Sequence, residues 1–240
     1  MTARAPLAHW LGAAALALLV AAAGWPAQVH AFQVRPVRLD LGNRQPTAQL
    51  MVSNPTSRPL LIQAEAFDWS QEQDRDQLQP SQDLIVNPPI FELAPGAQQV
   101  VRVGLRRAAK DGVERPHRIW LTQVATTSDE GDNGVQMLLR LSLPVFVTGT
   151  GTGAALAEWQ RHAQDGVVEL NNPGARHLHV RELRLLADDA TPTSLGPCYA
   201  LPGGRCRWPL PTALRHKTLR IEADSDAGTL RSQFDAVAAQ

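Results

Sequence analysis

The segment VQMLLRLSLPVFV, residues 135–147, has the most regular pattern in the chain. In its first nine residues, large apolar side chains stand at every second position, which is the side-chain period of a β-strand. On the opposite face, Leu138 adds one further apolar side chain among polar ones. The segment therefore predicts a strand with a continuous apolar row, made up of Val135, Met137, Leu139, Leu141 and Leu143.

Short apolar alternations also fill the rest of residues 32–240, and no long helical period interrupts them. They are separated by Pro, Gly, Asn and Asp, the residue types that form turns. In the first half we predict strands around residues 48–52, 60–69, 101–105 and 119–124, with loops at 70–82 and 126–134. About seven strands in roughly 115 residues favour an immunoglobulin-like sandwich.

A Gly-Thr repeat at residues 149–153 separates this half from a second one. Such a glycine-rich composition is typical of a flexible linker. Beyond it, strand patterns resume at residues 167–170, 178–186, 198–201, 207–210 and 219–223. The sequence therefore predicts an all-β chain of two immunoglobulin-like domains, at residues 32–148 and 155–240, joined by a linker at residues 149–154.

The first 31 residues have the pattern of a secretory signal peptide. Arg4 precedes an apolar run from Leu11 to Gly24, and a small residue, Ala31, closes the segment. The run is shorter than the roughly 20 residues that span a bilayer. We therefore predict export, with cleavage after Ala31. The formal net charge is zero, so a nucleic-acid partner is not indicated.

The chain has two cysteines, Cys198 and Cys206. In an oxidising compartment, two nearby cysteines usually pair, and two free thiols are the alternative. We predict a disulfide, which in so short a loop stabilises by about 2.5 kcal/mol on the chain-entropy description.

Motifs of enzymes are missing: the sequence has no HExxH, no GxSxG, no P-loop and no GxGxxG after a strand. His177 and His179 stand two apart in a predicted strand and share a face, but no third metal ligand has a suitable spacing. We interpret them as exposed strand histidines, with a metal-dependent enzyme as the alternative. We predict no catalytic residue, no cofactor, no metal and no small-molecule substrate.

The apolar row of residues 135–143 allows two interpretations. An ordinary sandwich strand explains the alternation, and alternation alone favours it. In the second interpretation, the strand inserts this row into another protein. Burial of five such side chains would contribute about 8–15 kcal/mol to binding before ordering costs. Pairing along an open backbone edge then supplies the register.

The segment NPPIFELAPGAQQVVRV, residues 87–103, closely resembles the signature of the periplasmic pilus chaperones of the chaperone–usher family. Other segments resemble that family in the same order: residues 32–41, 51–54, 114–124 and 135–147 its first, second, sixth and seventh strands, and residues 169–173 its second-domain Asn-Pro turn. The resemblance extends over nearly all of residues 32–240.

This resemblance implies a periplasmic protein with two immunoglobulin-like domains in a boomerang arrangement and a cleft between them. Chaperones of the family donate their seventh strand to pilus subunits, which lack their last strand, and deliver them to an outer-membrane usher. The resemblance thus implies that pilus subunits and an usher are the partners. We also expect that the free protein can self-associate, since exposed apolar edges tend to pair.

In the family's cleft, a basic pair holds the C-terminal carboxylate of the subunit. Its first member matches Arg38, whereas the second, a lysine in most of the family, falls at Pro144. Arg118 and Arg140 are candidates for the missing cation, because a guanidinium can bind a carboxylate through two hydrogen bonds. We predict Arg38 and Arg118 as the carboxylate anchor.

Other departures point to one branch of the family. Residues 142–147, 199–203 and 207–209 resemble the archaic or alternative branch, which assembles thin or spore-coat-type pili. A family arginine that ties the two domains together falls at Thr148, although its acidic partner is kept as Glu114.

A secreted structural or adhesive protein of the same fold, such as a pilus subunit, is the alternative function. A subunit has one incomplete domain and an N-terminal donor extension. This chain instead has a seventh strand and a second domain, which favours the chaperone.

Overall fold

The computed structural model describes residues 32–125, 137–188 and 191–237. Within them, the regular elements are β-strands, apart from a 3-10 turn at Thr212–Leu214. The first ten are β1 (Gln33–Arg35), β2 (Leu39–Gly42), β3 (Thr47–Ser53), β4 (Leu60–Glu72), β5 (Arg75–Pro80), β6 (Leu84–Asn87), β7 (Ile90–Leu93), β8 (Gln98–Leu105), β9 (Arg115–Val124) and β10 (Arg140–Thr148). The others are β11 (Glu158–His162), β12 (Val167–Asn171), β13 (Leu178–Leu186), β14 (Thr193–Leu195), β15 (Cys198–Ala200), β16 (Arg205–Pro209), β17 (Leu219–Ser225) and β18 (Gly228–Phe234).

The first ten strands form two sheets around one core. One sheet has the order β1-β3-β8-β6, and the other β2-β10-β9-β4-β5, with β7 paired to β4. Alternate residues of both sheets are fully buried, for example Val52 and Val101 from the first and Ile62 and Leu121 from the second. One face of each sheet therefore lies inside, as the alternation predicts.

The chain changes sheet just after its first strand. β1 pairs with β3 in the first sheet, whereas β2 runs parallel to β10 in the second. Arg38 is the residue immediately before β2. Its position in the fold is therefore set by the parallel pair of β2 and β10.

The last eight strands build a second sandwich from the sheets β11-β12-β16 and β14-β13-β17-β18, with β15 paired to β13. Its core includes Leu170, Val180, Leu183 and Ile221. The predicted disulfide between Cys198 and Cys206 is present and joins β15 to β16. The prediction of an all-β chain with two sandwiches is confirmed.

A buried asparagine holds the same Asn-Pro turn in each sandwich. Asn54 Nδ2 donates to the carbonyl oxygens of Arg58 and Leu93 at 2.8 and 2.9 Å. Asn172 Nδ2 likewise donates to Arg176 O and Ala200 O at 2.6 and 2.9 Å. Each side chain thereby satisfies buried carbonyls that the sheets leave unpaired.

The predicted loop at residues 70–82 is wrong, because most of it belongs to a hairpin of β4 and β5. The strands pair from Phe67 with Pro80 to Glu72 with Arg75. Gln73 and Asp74 form the turn with positive φ angles of 49° and 64°, as expected for a two-residue hairpin. β5 is mostly exposed, so its sequence is polar. The strands β11, β14 and β18, which also lack a prediction, are likewise sheet edges.

Three predictions fall on residues that the structure does not describe. The signal peptide at residues 1–31, the loop at residues 126–134 and the start of the apolar row, Val135, lie outside the described residues. The domain boundaries with a linker at 149–154 stay a proposal; Phe32–Gln240 form one unit by their contacts. Among the described residues, no helix has the length and apolar character needed to cross a membrane.

Candidate functional site

Strand β10 is covered along its length on one side only. On that side it pairs with β9 from Arg140 to Val147. On the other side, β2 pairs with β10 only from Val145 to Thr148. Within the described residues, the edge from Arg140 to Pro144 is therefore open, and an open edge can pair with an added strand.

The apolar row changes from exposed to buried along this strand. Met137 is 75% exposed, Leu139 and Leu141 are half-buried, and Leu143 is 5% exposed. Leu139, Leu141 and Leu143 all contact the core of the first sandwich. The accessible part of the row is thus its beginning, whereas Leu143 is already a core residue.

The opposite face of β10 brings Arg118 next to Pro144. The two residues are direct partners across the ladder of β9 and β10. The guanidinium carbon of Arg118 lies 3.6 Å from the ring centroid of Trp69 and 5.5 Å from that of Tyr199. Burial lowers the pKa of Arg118, but a guanidinium stays charged at any physiological pH. A cation therefore stands beside the position of the missing lysine.

Arg38 is half-exposed and lies between two carboxylates. Its Nη2 is 2.8 Å from Asp40 Oδ1, and its Nη1 is 3.4 Å from Asp226 Oδ2. The guanidinium carbon lies 4.9 Å from the ring centroid of Phe146 on β10. Burial opposes the charge, but Asp40 and Asp226 outweigh it and raise the pKa of Arg38. Two carboxylates thus hold the Arg38 guanidinium in place, and about a third of its side chain, 35%, stays exposed to solvent.

Aromatic rings fill the junction of the two sandwiches. Trp69 and Phe146, from the first sandwich, are buried together with Leu201 from the second. Tyr199 on β15 lies 5.4 Å from Trp69 and 5.9 Å from Phe146, measured between ring centroids. The rings that contact Arg38 and Arg118 therefore belong to one cluster.

Glu114 and His177 form a buried contact across this junction. His177 Nδ1 lies 2.6 Å from Glu114 Oε1, and the backbone N–H of His177 donates to the same oxygen at 2.8 Å. His177 Nε2 lies 3.2 Å from Asp226 Oδ2. Thr148 Oγ1 is 3.5 Å from Glu114 Oε2. Glu114 thus has its hydrogen-bond partner, His177, on the second sandwich.

The interpretation of His177 as an exposed strand histidine is wrong. The residue is 6% exposed and precedes β13. His179 shares its face, as predicted, and stacks on Tyr199 with 3.9 Å between ring centroids. Sequence alone did not identify the role of His177 or Asp226, because their partners lie far away along the chain and only folding brings them together.

A second set of contacts joins the hairpin of β4 and β5 to the second sandwich. Gln71 Nε2 donates to Tyr199 O at 2.8 Å, and Leu201 N donates to Gln71 Oε1 at 3.1 Å. At the tip of the hairpin, Asp74 pairs with Arg205 and, at 2.9 Å, with Arg207. The hairpin that the sequence did not predict is therefore part of the junction.

Arg140, the other candidate anchor, lies away from this junction. Its guanidinium carbon is 4.4 Å from the ring centroid of Trp120, and its Nε donates to Thr122 Oγ1 at 3.1 Å. Both partners belong to β9. Arg140 therefore covers the outer face of the first sandwich.

A cavity of about 790 Å³ lies between the sandwiches. Both contribute to its walls, including Arg38, Asp40 and Thr148 from the first and His177 and Asp226 from the second. The cavity therefore combines one accessible cation with the buried pair of His177 and its carboxylates.

One group of possible metal ligands occurs among the described residues, namely Asp68, Asp83 and His117. Asp68 Oδ1 already lies 2.9 Å from His117 Nδ1, and Asp83 pairs with Arg115. A guanidinium next to one of the ligands opposes cation binding, since like charges repel.

Solved structures share this fold at low sequence identity. A chain of the CsuC–CsuE chaperone–tip adhesion subunit complex, from the archaic Csu pili of Acinetobacter baumannii, matches with a TM-score of 0.65 and 14% identity, over 87% of this chain and 100% of that chain. The E. coli chaperone DraB matches with a TM-score of 0.58 and 18% identity, over 86% and 98%. A chain of the Salmonella enterica SafA pilin–SafB chaperone complex has a TM-score of 0.59 and 13% identity, over 87% and 98%.

The sequence matches a known protein family over more than half of its length. No match is found among curated proteins. Residues 31–152, just over half of the chain, match the family described as pili and flagellar-assembly chaperone, PapD N-terminal domain. This match confirms the predictions of a chaperone rather than an enzyme, and of a chaperone rather than a pilus subunit. The chain belongs to the family of pilus-assembly chaperones.

Proposed function

We propose that this protein binds pilus subunits in the periplasm and completes their fold with strand β10. The observation that carries the proposal is the open edge from Arg140 to Pro144, next to an accessible apolar row. Chaperones of the same fold occur in complexes with a tip subunit, CsuE, and with a pilin, SafA. A strand of a subunit would add to this edge through backbone hydrogen bonds.

The apolar row supplies the affinity in this proposal. Met137, Leu139 and Leu141 keep apolar surface that a subunit can bury, at about 25 cal/mol per Å². Leu143 has almost none left, because it packs in the core of its own sandwich. We therefore assign binding to the beginning of the row, together with Val135, and assign Leu143 to holding the strand in place.

Arg38 and Arg118 are the proposed anchor for the C-terminal carboxylate of the subunit. Both guanidinium groups lie against the aromatic cluster, Arg38 on Phe146 and Arg118 on Trp69. Arg38 donates from Nε and Nη2 to Asp40, and Arg118 Nη2 lies 3.9 Å from Asp76. A subunit carboxylate would replace such acids as the acceptor of charge-assisted hydrogen bonds. Arg118 takes the place that a lysine has in most of the family.

The resemblance to the family supports the remaining steps of the proposed function. We propose export with cleavage after Ala31, delivery of the bound subunit to an outer-membrane usher, and membership of the archaic branch. We also propose that the free protein pairs its open edges in a dimer until a subunit arrives, because an uncovered apolar edge promotes association.

The test is co-expression of the tagged full chain with a secreted pilin-like protein from the same genome. Met137→Asp should reduce the yield of the complex at least about tenfold, since a charge would enter an apolar contact. Because Met137 is exposed, the variant should fold normally. Leu156→Asp is the control, because it also places an aspartate at an exposed apolar residue, away from β10. Equal yields for the wild type and Met137→Asp would disprove binding through this row.

A further inference from the structure

We propose that His177, as an imidazolium ion, is a protonatable clamp that ties the two sandwiches together and positions the guanidinium of Arg38. This inference rests on the proposed function only for what Arg38 binds. The clamp itself is a property of the free protein and can be tested without a subunit.

The clamp consists of one ring between two carboxylates from different sandwiches. Glu114 immediately precedes β9 in the first sandwich, and Asp226 follows β17 in the second. Their oxygens lie 2.6 Å from Nδ1 and 3.2 Å from Nε2 of His177. A neutral imidazole has only one N–H, so the second nitrogen would face a carboxylate with a lone pair. Nε2 forms no hydrogen bond in this geometry, but its position beside Asp226 favours a proton on both nitrogens.

The family places the cationic partner of Glu114 in the first sandwich, whereas here it is His177 of the second sandwich. Thr148, which matches the family arginine that ties the domains, contacts Glu114 but carries no charge. His177 supplies the charge from the second sandwich instead. An arginine keeps its charge at every physiological pH, whereas a histidine titrates there. The substitution thus makes the tie sensitive to pH.

Asp226 transmits the state of the clamp to Arg38. Its Oδ2 is shared, at 3.2 Å from His177 Nε2 and 3.4 Å from Arg38 Nη1. Both cations also lie on Phe146, whose ring centroid is 3.4 Å from that of His177 and 4.9 Å from the guanidinium carbon of Arg38. When His177 loses its proton, the lone pair on Nε2 repels Asp226, and Arg38 loses a fixed partner.

The groups around His177 set the direction of the pH effect. Glu114, Asp226 and Arg38 face the ring, and His179 and Tyr199 lie behind it. Burial opposes protonation, but hydrogen bonding to Asp226 and Glu114 outweighs burial and raises the pKa of His177 above its ordinary 6.5. The stability that the clamp provides is therefore complete below pH 6.5 and is lost as the pH rises through the raised pKa.

The test uses the free protein labelled with 15N, followed by NMR from pH 5.5 to 9. Both imidazole nitrogens of His177 should be protonated at pH 6, and the ring should titrate above the ordinary histidine value of about 6.5. The Nε signal of Arg38, assigned with Arg38→Lys, should shift with the same midpoint. A neutral His177 ring at pH 6, or an Arg38 signal that does not follow it, overturns the proposal.

Thermal unfolding provides the matched comparison. His177→Phe keeps a ring against Phe146 but removes both nitrogens, and His216→Phe is the control at an exposed site. The midpoint of the wild type should exceed that of His177→Phe by about 4 °C or more at pH 6, and this difference should shrink by pH 9. A difference that is constant with pH would show a packing role and contradict the clamp. Neither result depends on whether pilus subunits bind.

Discussion

The imidazole of His177 lies parallel to the ring of Phe146, with 3.4 Å between the centroids and 5° between the planes. Phe146 belongs to β10, the strand with the open edge, and His177 precedes β13 of the second sandwich. The stack therefore connects the second sandwich directly to the proposed subunit-binding strand. A change at this contact should affect both stability and the cleft.

Replacement of Phe146 should be among the most costly changes in the chain. Its side chain is fully buried against Trp69, Tyr199 and His177. Phe146→Ala should lower the free energy of unfolding by about 3–5 kcal/mol, whereas Phe146→Leu, which fills more of the space, should cost clearly less. Urea unfolding measures both. A loss below about 1 kcal/mol for Phe146→Ala would contradict the packing described.

The carboxylate anchor can be tested with three arginines. Arg38→Ala and Arg118→Ala should each weaken the complex with a co-expressed subunit by about 2 kcal/mol or more, roughly 30-fold, because each leaves a carboxylate without a partner. Arg220→Ala is the control, since Arg220 lies on β17 of the second sandwich and pairs with Asp188 instead. Titration calorimetry gives the affinities. An equal loss for Arg220→Ala would contradict a specific role of Arg38 and Arg118 in binding the carboxylate.

The two turn asparagines should contribute equally to stability. Asn54→Ala and Asn172→Ala each leave several buried carbonyl oxygens without a donor. Each change should lower the free energy of unfolding by about 2–3 kcal/mol. Asn171→Ala, next to one of the two turns and only half-buried, should have a smaller effect. Similar losses for Asn171 and Asn172 would contradict this account.

The disulfide should stabilise mainly the connection between β15 and β16, which contacts the first sandwich. Cys198 and Cys206 hold β15 and β16, which carry Tyr199, Arg205 and Arg207. Their replacement by alanine in a double variant should cost about 2.5 kcal/mol. Dithiothreitol should lower the thermal midpoint of the wild type but leave the double variant unchanged. If dithiothreitol also lowered the thermal midpoint of the double variant, its effect on the wild type could not be assigned to this disulfide.

Asp226 should make the fold sensitive to acid. Burial opposes its ionisation, but His177, the backbone N–H of His179 and the charge of Arg38 lower its pKa from 3.8 to about 2. The resulting stability is present above pH 3.8 and is lost as the pH falls through about 2. Asp226→Asn should therefore cost about 2 kcal/mol at pH 5 and almost nothing near pH 2. Urea unfolding at both pH values measures this cost, and an equal cost of Asp226→Asn at pH 5 and near pH 2 would contradict the prediction.

Strands with a buried face were predictable from the sequence, and exposed ones were not. β3, β10, β13 and β17 alternate because one of their faces lies in a core. β5 and β18 are edge strands with polar or half-exposed residues on both faces, so no apolar period marks them. The same reason explains why the predicted loop at residues 70–82 is a hairpin.

The candidate site was predictable only where a residue carries its own signal. Arg38 and Arg118 could be named because a cation was expected at two places, and the structure puts both on aromatic rings of one cluster. The roles of His177 and Asp226 depend on contacts with Glu114 and Arg38 across the two sandwiches. No local pattern encodes pairs that are separated by 63 and 188 residues.

The parallel pairing of β2 with the second half of β10 limits what the open edge can hold. β2 occupies this side of β10 from Val145 onward, so an added strand must stop where β2 begins. The free stretch from Arg140 to Pro144 is about 17 Å long at about 3.3 Å per residue. Arg38, the residue just before β2, stands beside that stop. With Arg38 as the proposed anchor, the distance from its guanidinium to the apolar row is set by the fold. The proposal therefore expects subunits whose apolar residues begin at a fixed distance from the terminal carboxylate.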